Sequence, residues 1–309
     1  MDLSVVVVSW NTRDLLAECL ASLFHHPPAA AWEVWVVDNA SSDGSAAMVR
    51  DRFPAAHLIE NQANLGFAAA NNQGFRQSAG RYVLLLNSDA RVRLGALDAM
   101  LKFLDGHPEV GAAGPKLVNP DGSFQASYAS FPTLLSELGS ITGLDRWWLG
   151  PNAPSPRPVA GEAPHAVDWV AGAALIVRRA AVDEVGPLDE GYFLYSEETD
   201  WCLRLWRAGW PVWYLPQVEV IHRAGASSRQ QSTRSYSLLY QSKLRFFSRH
   251  YGGAAALALR LAYLASALAR LSLWKTLLLF PGRAARQPGW RARAEQERAL
   301  LQTCLAPQT

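Results

Sequence analysis

The stretch Val5-Val6-Val7-Val8-Ser9-Trp10-Asn11 decides the fold. Four successive β-branched residues with no polar alternation mark a strand buried on both faces, as in a parallel sheet covered by helices. The strand is read over Ser4–Val8 and ends in a polar cluster. Asn11 or Thr12 can then cap a helix in which Leu15, Leu16, Cys19, Leu20 and Leu23 recur at helical spacing. Pro27-Pro28 stops that helix, and Val34–Val37 reads as the second strand. A polar loop from Asp38 to Ser45 leads into a helix ending near Phe53. A third strand at His57–Glu60, a small-residue helix at Phe67–Ala79, a fourth strand at Tyr82–Leu86 and a helix at Leu94–Leu104 follow. Repeated units of this length predict an α/β fold with a mostly parallel sheet flanked by helices.

In such sheets ligands bind beyond the carboxyl ends of the strands. Ser9-Trp10-Asn11, Asp38-Asn39 and Asn87-Ser88-Asp89 all fall at such ends and should line one crevice. Asp89 has the chemistry to hold a hard divalent cation, or else it caps the helix near Leu94. Asp38 can accept hydrogen bonds from a base or ribose, or close an Asx-turn in its own loop. Further on, Glu197-Glu198-Thr199-Asp200 crowds three carboxylates beside Tyr192, Phe193, Tyr195 and Trp201. Crowded acids near an apolar wall make a general base, whereas acids in a first helical turn also simply complement the helix dipole. His222 closes an apolar run as a ligand or as a satisfied histidine. Trp147-Trp148 can stack on a sugar ring or close a hydrophobic edge.

The second half is less regular. Residues from about Leu144 to Ala166 are rich in Pro and Gly and read as a long loop; Val167–Val177 reads as a strand, Ser196–Ala208 as a helix, and Trp210–Leu215 and Val218–His222 as two short strands. The chain has 309 residues, half of them hydrophobic, and a net charge of +2 that hides a division. Up to His222 there are 15 Lys and Arg against 25 Asp and Glu, a balance of −10; from Arg223 onward there are 14 against two, a balance of +12. This predicts an acidic body with a basic appendage whose partner is anionic. Leu257, Leu261, Leu264, Leu268 and Leu271 form a helical stripe in that appendage, interrupted by Arg260, Arg270 and Lys275. The uncharged runs between these cations are too short to span a bilayer, so the helix is read as lying in an interface or packing on a partner. Three scattered cysteines exclude a zinc cage or a disulfide scaffold and fit a reducing compartment. The start of the chain lacks a basic signal region.

Taken in order, these stretches resemble one family. VVVVSWN (Val5–Asn11), VVDNASSDGS (Val36–Ser45), NLGFAAANNQG (Asn64–Gly74), LLLNSDA (Leu84–Ala90), WVAGAALIVRR (Trp169–Arg179), YFLYSEETDWCLRLWRAGW (Tyr192–Trp210) and HRAGAS (His222–Ser227) are similar to glycosyltransferase family 2, with the GT-A fold and a rhamnosyltransferase-like flavour. The resemblance covers roughly Leu3 to Ser228. It implies a catalytic domain over residues 1–228 and a helical, membrane-associating or oligomerising region over 229–309. It implies that Asp38, helped by Ser9 and Asn11, recognises the base of a nucleotide sugar, and that Asn64, Gly66, Phe67, Asn71, Asn87 and Ser88 line the nucleotide. Asp89 matches the metal-binding acid, its partner acid replaced by Asn87, with His222 as a further ligand of Mg²⁺ or Mn²⁺. Trp169, Gly172 and Ala173 match the segment under donor sugar and acceptor, where Trp147 is also placed. Glu198 aligns with the second acid of a Glu-Asp pair, the general base, and is one methylene longer than the family's Asp; Glu197 and Asp200 stay in contention.

The resemblance therefore implies a metal-dependent, inverting, non-processive hexosyltransferase of cell-surface polysaccharide synthesis. Rhamnose leads as the sugar, carried on dTDP or UDP, with a polyprenyl-diphosphate-linked or other glycan acceptor. Several membrane helices and a Gln-x-x-Arg-Trp signature, which mark processive synthases, are not found. The basic tail implies a cytoplasmic enzyme peripheral on the anionic inner face of the plasma membrane, with a homodimer as the alternative use of that tail. A nucleotidyltransferase would show a Gly-rich phosphate loop after the first strand, where Ser9-Trp10-Asn11-Thr12 stands. A catalytically silent sugar-nucleotide-binding protein remains a rival. Nucleic acid is not expected, because the tail has no interleaved stacking residues and the body is acidic.

Overall fold

In the computed structural model, residues 1–145, 147, 161–223, 232–278 and 289–306 are described. The chain divides into two compact units. One comprises Met1–Phe131, Leu149–Phe193 and Glu197–Ser227; the other comprises Pro132–Trp148, Leu194–Ser196 and Ser228–Thr309.

The first unit is built on the strands β1 (Leu3–Ser9), β2 (Trp32–Asp38), β3 (His57–Glu60), β4 (Tyr82–Asn87), β5 (Ala90–Val92), β6 (Ala112–Val118), β7 (Tyr128–Ala129), β8 (His165–Val167), β9 (Trp169–Val170), β10 (Ala174–Arg178) and β11 (Val212–His222). Its main sheet runs β3-β2-β1-β4-β10-β6-β11-β5, with β8 also on β11. The first four strands are parallel, as is the β6–β11 pair; β10 enters between β4 and β6 antiparallel to both. Val167–Val177 is therefore not one strand: β8, β9 and β10 are separate, and the break at Ala171–Ala173 holds Gly172 and Ala173, which the sequence resemblance places at the site. Conversely, the two short strands expected over Trp210–His222 are one strand with an irregularity between Leu215 and Glu219.

Helices cover both faces of the sheet. They are α1 (Arg13–His25), α2 (Ser45–Arg52), α3 (Phe67–Gln77), α4 (Ala96–Gly106), then α6 (Arg179–Val185) and α7 (Glu197–Arg207), with α5 (Leu134–Thr142) belonging to the second unit. Leu3, Val5 and Val7 of β1 pack with Leu16, Leu20, Met48 and Met100 of α1, α2 and α4. Val6 faces the opposite side, with Ala68, Val182, Trp201 and Leu205 of α3, α6 and α7. Period-two alternation with both sides apolar is why the run reads as unbroken valine. At Gly74 of α3 a Cβ would stand 2.5 Å from Val6 Cγ1, so the small residue lets the helix sit directly on the strand.

The second unit contains α5, α8 (Ser232–Tyr251), α9 (Gly253–Leu278) and α10 (Gly289–Leu305). Glu137 of α5 accepts from Lys243 Nζ of α8 at 2.8 and 2.9 Å and from Tyr263 Oη of α9 at 2.6 Å, so one buried carboxylate pins three helices. Burial, with Glu137 beside it, pushes the Tyr263 phenol far above its ordinary value, so it stays a donor. Contrary to the reading of short uncharged runs, α9 is a single helix of 26 residues, long and apolar enough by length and composition to cross a membrane. Trp148 and Ala224–Ser227, quoted above, lie outside the described residues, as does most of the Pro/Gly-rich segment before Gly161.

Candidate active site

Strand register sets the site. Ser9 pairs with Asp38, and Val8 with Asn87, so the ends of β1, β2 and β4 are level. Thr12 stands at the N-cap position of α1, yet its side chain makes no capping bond. Its hydroxyl instead lies 3.0 Å from Ser9 Oγ and 2.8 Å from Ser88 Oγ, a buried hydroxyl chain tying β1 to the turn after β4. Asn11 has φ +51°; its amide donates to Ser41 Oγ and its Oδ1 accepts from the Ser42 amide, which joins the first two clusters.

Asp38 closes the expected turn with one oxygen and leaves the other open. Its Oδ2 accepts from the Ser41 amide at 3.0 Å as a turn, while Oδ1 is buried with no hydrogen-bond partner. A buried unpaired acceptor is costly and asks for a donor. Asn39 is the hub the sequence undervalued. Its Nδ2 donates to Asn64 Oδ1 and Gly66 O, and its Oδ1 accepts from Asn61 Nδ2 and the Leu65 amide. Asn64 is thus spent on holding its own loop. At Gly66, φ is +86° and a Cβ would stand 2.4 Å from Phe193 O, the same carbonyl that accepts from the Phe67 amide at 2.7 Å. Asn71 is buried, donating to Phe67 O within α3.

Asp89 does not cap a helix; α4 begins after Gly95. Its Oδ1 is 3.1 Å from His222 Nε2, and the Arg223 amide donates to its carbonyl. Gln125, absent from every motif above, fixes the imidazole. Its Nε2 donates to Asn119 Oδ1 at 3.0 Å and to His222 O at 3.3 Å, leaving Oε1 to accept from His222 Nδ1 at 2.6 Å. The proton assigned to Nδ1 in this way leaves the Nε2 lone pair facing Asp89 Oδ1 and the side-chain Nδ2 of Asn87, a donor 3.2 Å away. A lone pair beside a carboxylate oxygen is repulsive unless a proton or cation lies between them. A separation of 3.1 Å is what two adjacent ligands, each about 2.1 Å from one Mg²⁺-like ion, subtend. Among the described residues no group of three His, Cys, Asp or Glu forms a metal cage. A two-ligand site completed by diphosphate oxygens and water suits Mg²⁺ or Mn²⁺, so the residues fit.

The carboxylate cluster separates by environment. Asp200 is fully buried and receives Arg204 Nε at 2.8 Å, while Arg204 also donates to the carbonyls of Val185, Gly186 and Pro187. Through Arg204 it is tied to the end of α6 and the segment that follows. Glu197 is buried with Oε2 unpartnered, and burial together with the charge of Glu198 raises its carboxyl well above the usual carboxylate range. Glu198 is half-buried overall, but its Oε2 is buried and also unpartnered. Burial raises its pKa too, opposed by the backbone amides of Gly172 and Thr199. A Cβ on Gly172 would touch the Glu198 side chain at 3.6 Å, and Asn87 donates its amide to Ala173 O at 3.0 Å. The break between β9 and β10 therefore carries Glu198 on one side and the metal-type cluster on the other. Trp169 Nε1 donates to Ser130 O nearby in the chain fold. Trp147 belongs to the helical unit and is 86% exposed. Tyr195 and Ser196, directly before Glu197, have φ of +73° and +65°, and all four non-glycine residues with positive φ among those described lie beside these clusters.

A sheet of this order, with acids gathered at its carboxyl edge, is the framework of a glycosyltransferase. The chain belongs to glycosyl transferase family 2, whose family model matches residues 4–174. It is similar to the N-acetylglucosaminyl-diphospho-decaprenol L-rhamnosyltransferase of Mycobacterium tuberculosis, 31% identical over 81% of this chain and 85% of the relative. It is also similar to the rhamnosyltransferase WbbL of Escherichia coli K12, 26% identical over 79% of this chain and 92% of that one. Among solved structures, the mannosyltransferase PcManGT of Pyrobaculum calidifontis, in complex with GDP-Man and Mn²⁺, shares the fold with a TM-score of 0.58 at 17% identity, covering 98% of this chain and 86% of that chain.

Proposed function

We propose that this enzyme moves a single sugar, rhamnose, with inversion from a dTDP- or UDP-linked donor to a hydroxyl of a lipid-linked glycan in cell-surface polysaccharide synthesis. The names of the two rhamnosyltransferase relatives support the sugar, and the decaprenol-diphosphate acceptor named for the first supports the acceptor class. The observation that carries the mechanism is the buried, unpartnered Oε2 of Glu198, held against Gly172 with a raised pKa.

Glu198 Oε2 takes the proton of the acceptor hydroxyl as its oxygen bonds the anomeric carbon, and the bond from that carbon to the diphosphate oxygen breaks on the opposite face. A raised pKa makes Glu198 a stronger base while it remains ionised above that pKa. Asp38 Oδ1 accepts the ring N–H of a uracil or thymine base, with Ser9 and Asn11 fixing the strand ends around it. Asp89 and His222 would hold a divalent cation, which neutralises the departing diphosphate. Glu197, buried beside Glu198, keeps the neighbourhood poorly solvated. Trp169, Gly172 and Ala173 form the floor next to the base.

The test is a panel of dTDP-, UDP- and GDP-sugars with a polyprenyl-diphosphate-linked N-acetylglucosamine, following nucleoside diphosphate release and the anomeric configuration of the product. Release from dTDP-rhamnose with inverted configuration is expected. Retained configuration, or no release from any donor, overturns the reading.

A further inference from the structure

In the helical unit, apolar surface is turned outward. Of the 13 large hydrophobic residues exposed among those described, ten belong to this unit, which is about a third of the chain. Four of them, Leu257, Leu261, Leu268 and Leu273, lie on α9. Every exposed residue of α9 from Gly253 to Leu273 is Gly, Ala, Leu or Ser, and the first exposed charge is Lys275. Leu257, Leu261, Ala265, Leu268 and Ser272 recur at steps of four and three, so the outer face is one continuous uncharged stripe.

Of the three cations that interrupt the sequence, Arg260 and Arg270 turn inward, while Lys275 is exposed and ends the uncharged stripe. Arg260 donates to the carbonyls of Cys304 and Ala306 at the end of α10. Arg270 donates to Ile141 O and lies 3.6 Å from Glu297. Leu259, Tyr263, Ala267 and Leu271 are buried on the same inner side. The unit's exposed charges are Arg234, Arg249, Lys275, Arg291, Arg293 and Arg298, against the single exposed acid Glu295 among the described residues.

We propose that the outer stripe of α9 seats in the headgroup–acyl boundary of an anionic lipid bilayer, with the helix lying in the membrane plane. This deepens the lipid-linked-acceptor reading above by naming the surface that brings the enzyme to the bilayer. An uncharged stripe on a unit whose exposed charges are almost all cationic suits anionic lipid on both counts. A second copy of the chain would bring like-charged units together. Crossing the bilayer would strip α9 from the segments that Arg260 and Arg270 bind.

The full chain is tested by co-sedimentation with phosphatidylglycerol–phosphatidylcholine vesicles, beside pure phosphatidylcholine vesicles. The wild type should pellet with the anionic vesicles and be released by a carbonate wash. Leu261→Asp with Leu268→Asp should weaken binding by about tenfold or more, and the milder Leu261→Gln with Leu268→Gln should weaken it by less. Nucleoside diphosphate release with a water-soluble acceptor should be unchanged in both variants, which shows that the fold is intact. Unchanged pelleting of the variants overturns the proposal. So does wild-type protein that resists carbonate, which would mean a spanning helix, or wild-type dimers that the substitutions dissociate without any vesicle binding. Vesicle binding that depends on Leu261 and Leu268 in a protein that releases no nucleotide would sustain this surface while removing the catalytic reading.

Discussion

The sheet unit leaves more of its buried acids incomplete than the helical unit does. In the sheet unit, Asp38, Glu197 and Glu198 each keep a buried carboxylate oxygen without a partner. In the helical unit, Glu137 spends both oxygens on Lys243 and Tyr263, whereas Glu297 bonds Tyr236 and Arg270 through Oε1 and keeps Oε2 buried without a partner. Charge and apolar surface divide along the same line. The helical unit holds 14 Lys and Arg against four Asp and Glu, leaving 15 against 23 in the sheet unit. An open buried acceptor is costly until a donor meets it, and closing both oxygens suits an acid such as Glu137 that holds three helices together.

Each side of this comparison can be broken separately. The largest effect is expected for Glu198→Gln, which should cut turnover about a thousandfold in nucleoside diphosphate release assays while leaving vesicle binding intact. In the same assay, kcat/KM of the wild type should fall as pH drops through the raised pKa of Glu198, and the variant's residual rate should lose that acid limb. Glu137→Gln strikes the other unit. It leaves Lys243 without its charge partner and should cost about 3 kcal/mol in thermal or urea unfolding, with little change in donor binding. Gln125→Leu removes the acceptor that holds the His222 tautomer. It should weaken Mn²⁺ binding about 10- to 100-fold, read by titration calorimetry in the presence of nucleoside diphosphate. The smallest effect is a gain. The Glu197 carboxyl is raised in the folded state, so its contribution favours folding at low pH and is lost as pH rises through the folded value. Glu197→Gln should therefore match the wild type near pH 4 and exceed it at pH 8 by about 1 kcal/mol, or about 2–4 °C in Tm.

Local chemistry made the first half of the chain legible. The runs Val5–Val8, Val34–Val37 and Leu84–Leu86 could be only doubly covered strands, and the rule of carboxyl ends then placed Asp38, Asn87 and Asp89 before any geometry was known. Long-range bonds were not legible. Gln125 reaches His222 across 97 positions, and nothing in its neighbours marks it. Arg204 looks like an ordinary last-turn cation until it is seen on Asp200. Asn39 stood in a recognised cluster, but its hold on residues 61–66 depends on β2 and β3 lying side by side. In the tail the helical stripe was legible but the side its cations take was not: Arg260 and Arg270 interrupt the sequence without interrupting the outer surface.

Gly66 has a bearing on how this enzyme could be re-engineered. With φ at +86° and the Phe193 carbonyl 2.4 Å from where a methyl would stand, even alanine is refused there. The loop before α3 is also riveted to Phe193 by the Phe67 amide. Attempts to widen donor choice by randomising residues 64–67 would find that codon frozen. Libraries aimed at the neighbouring positions instead should return more folded clones.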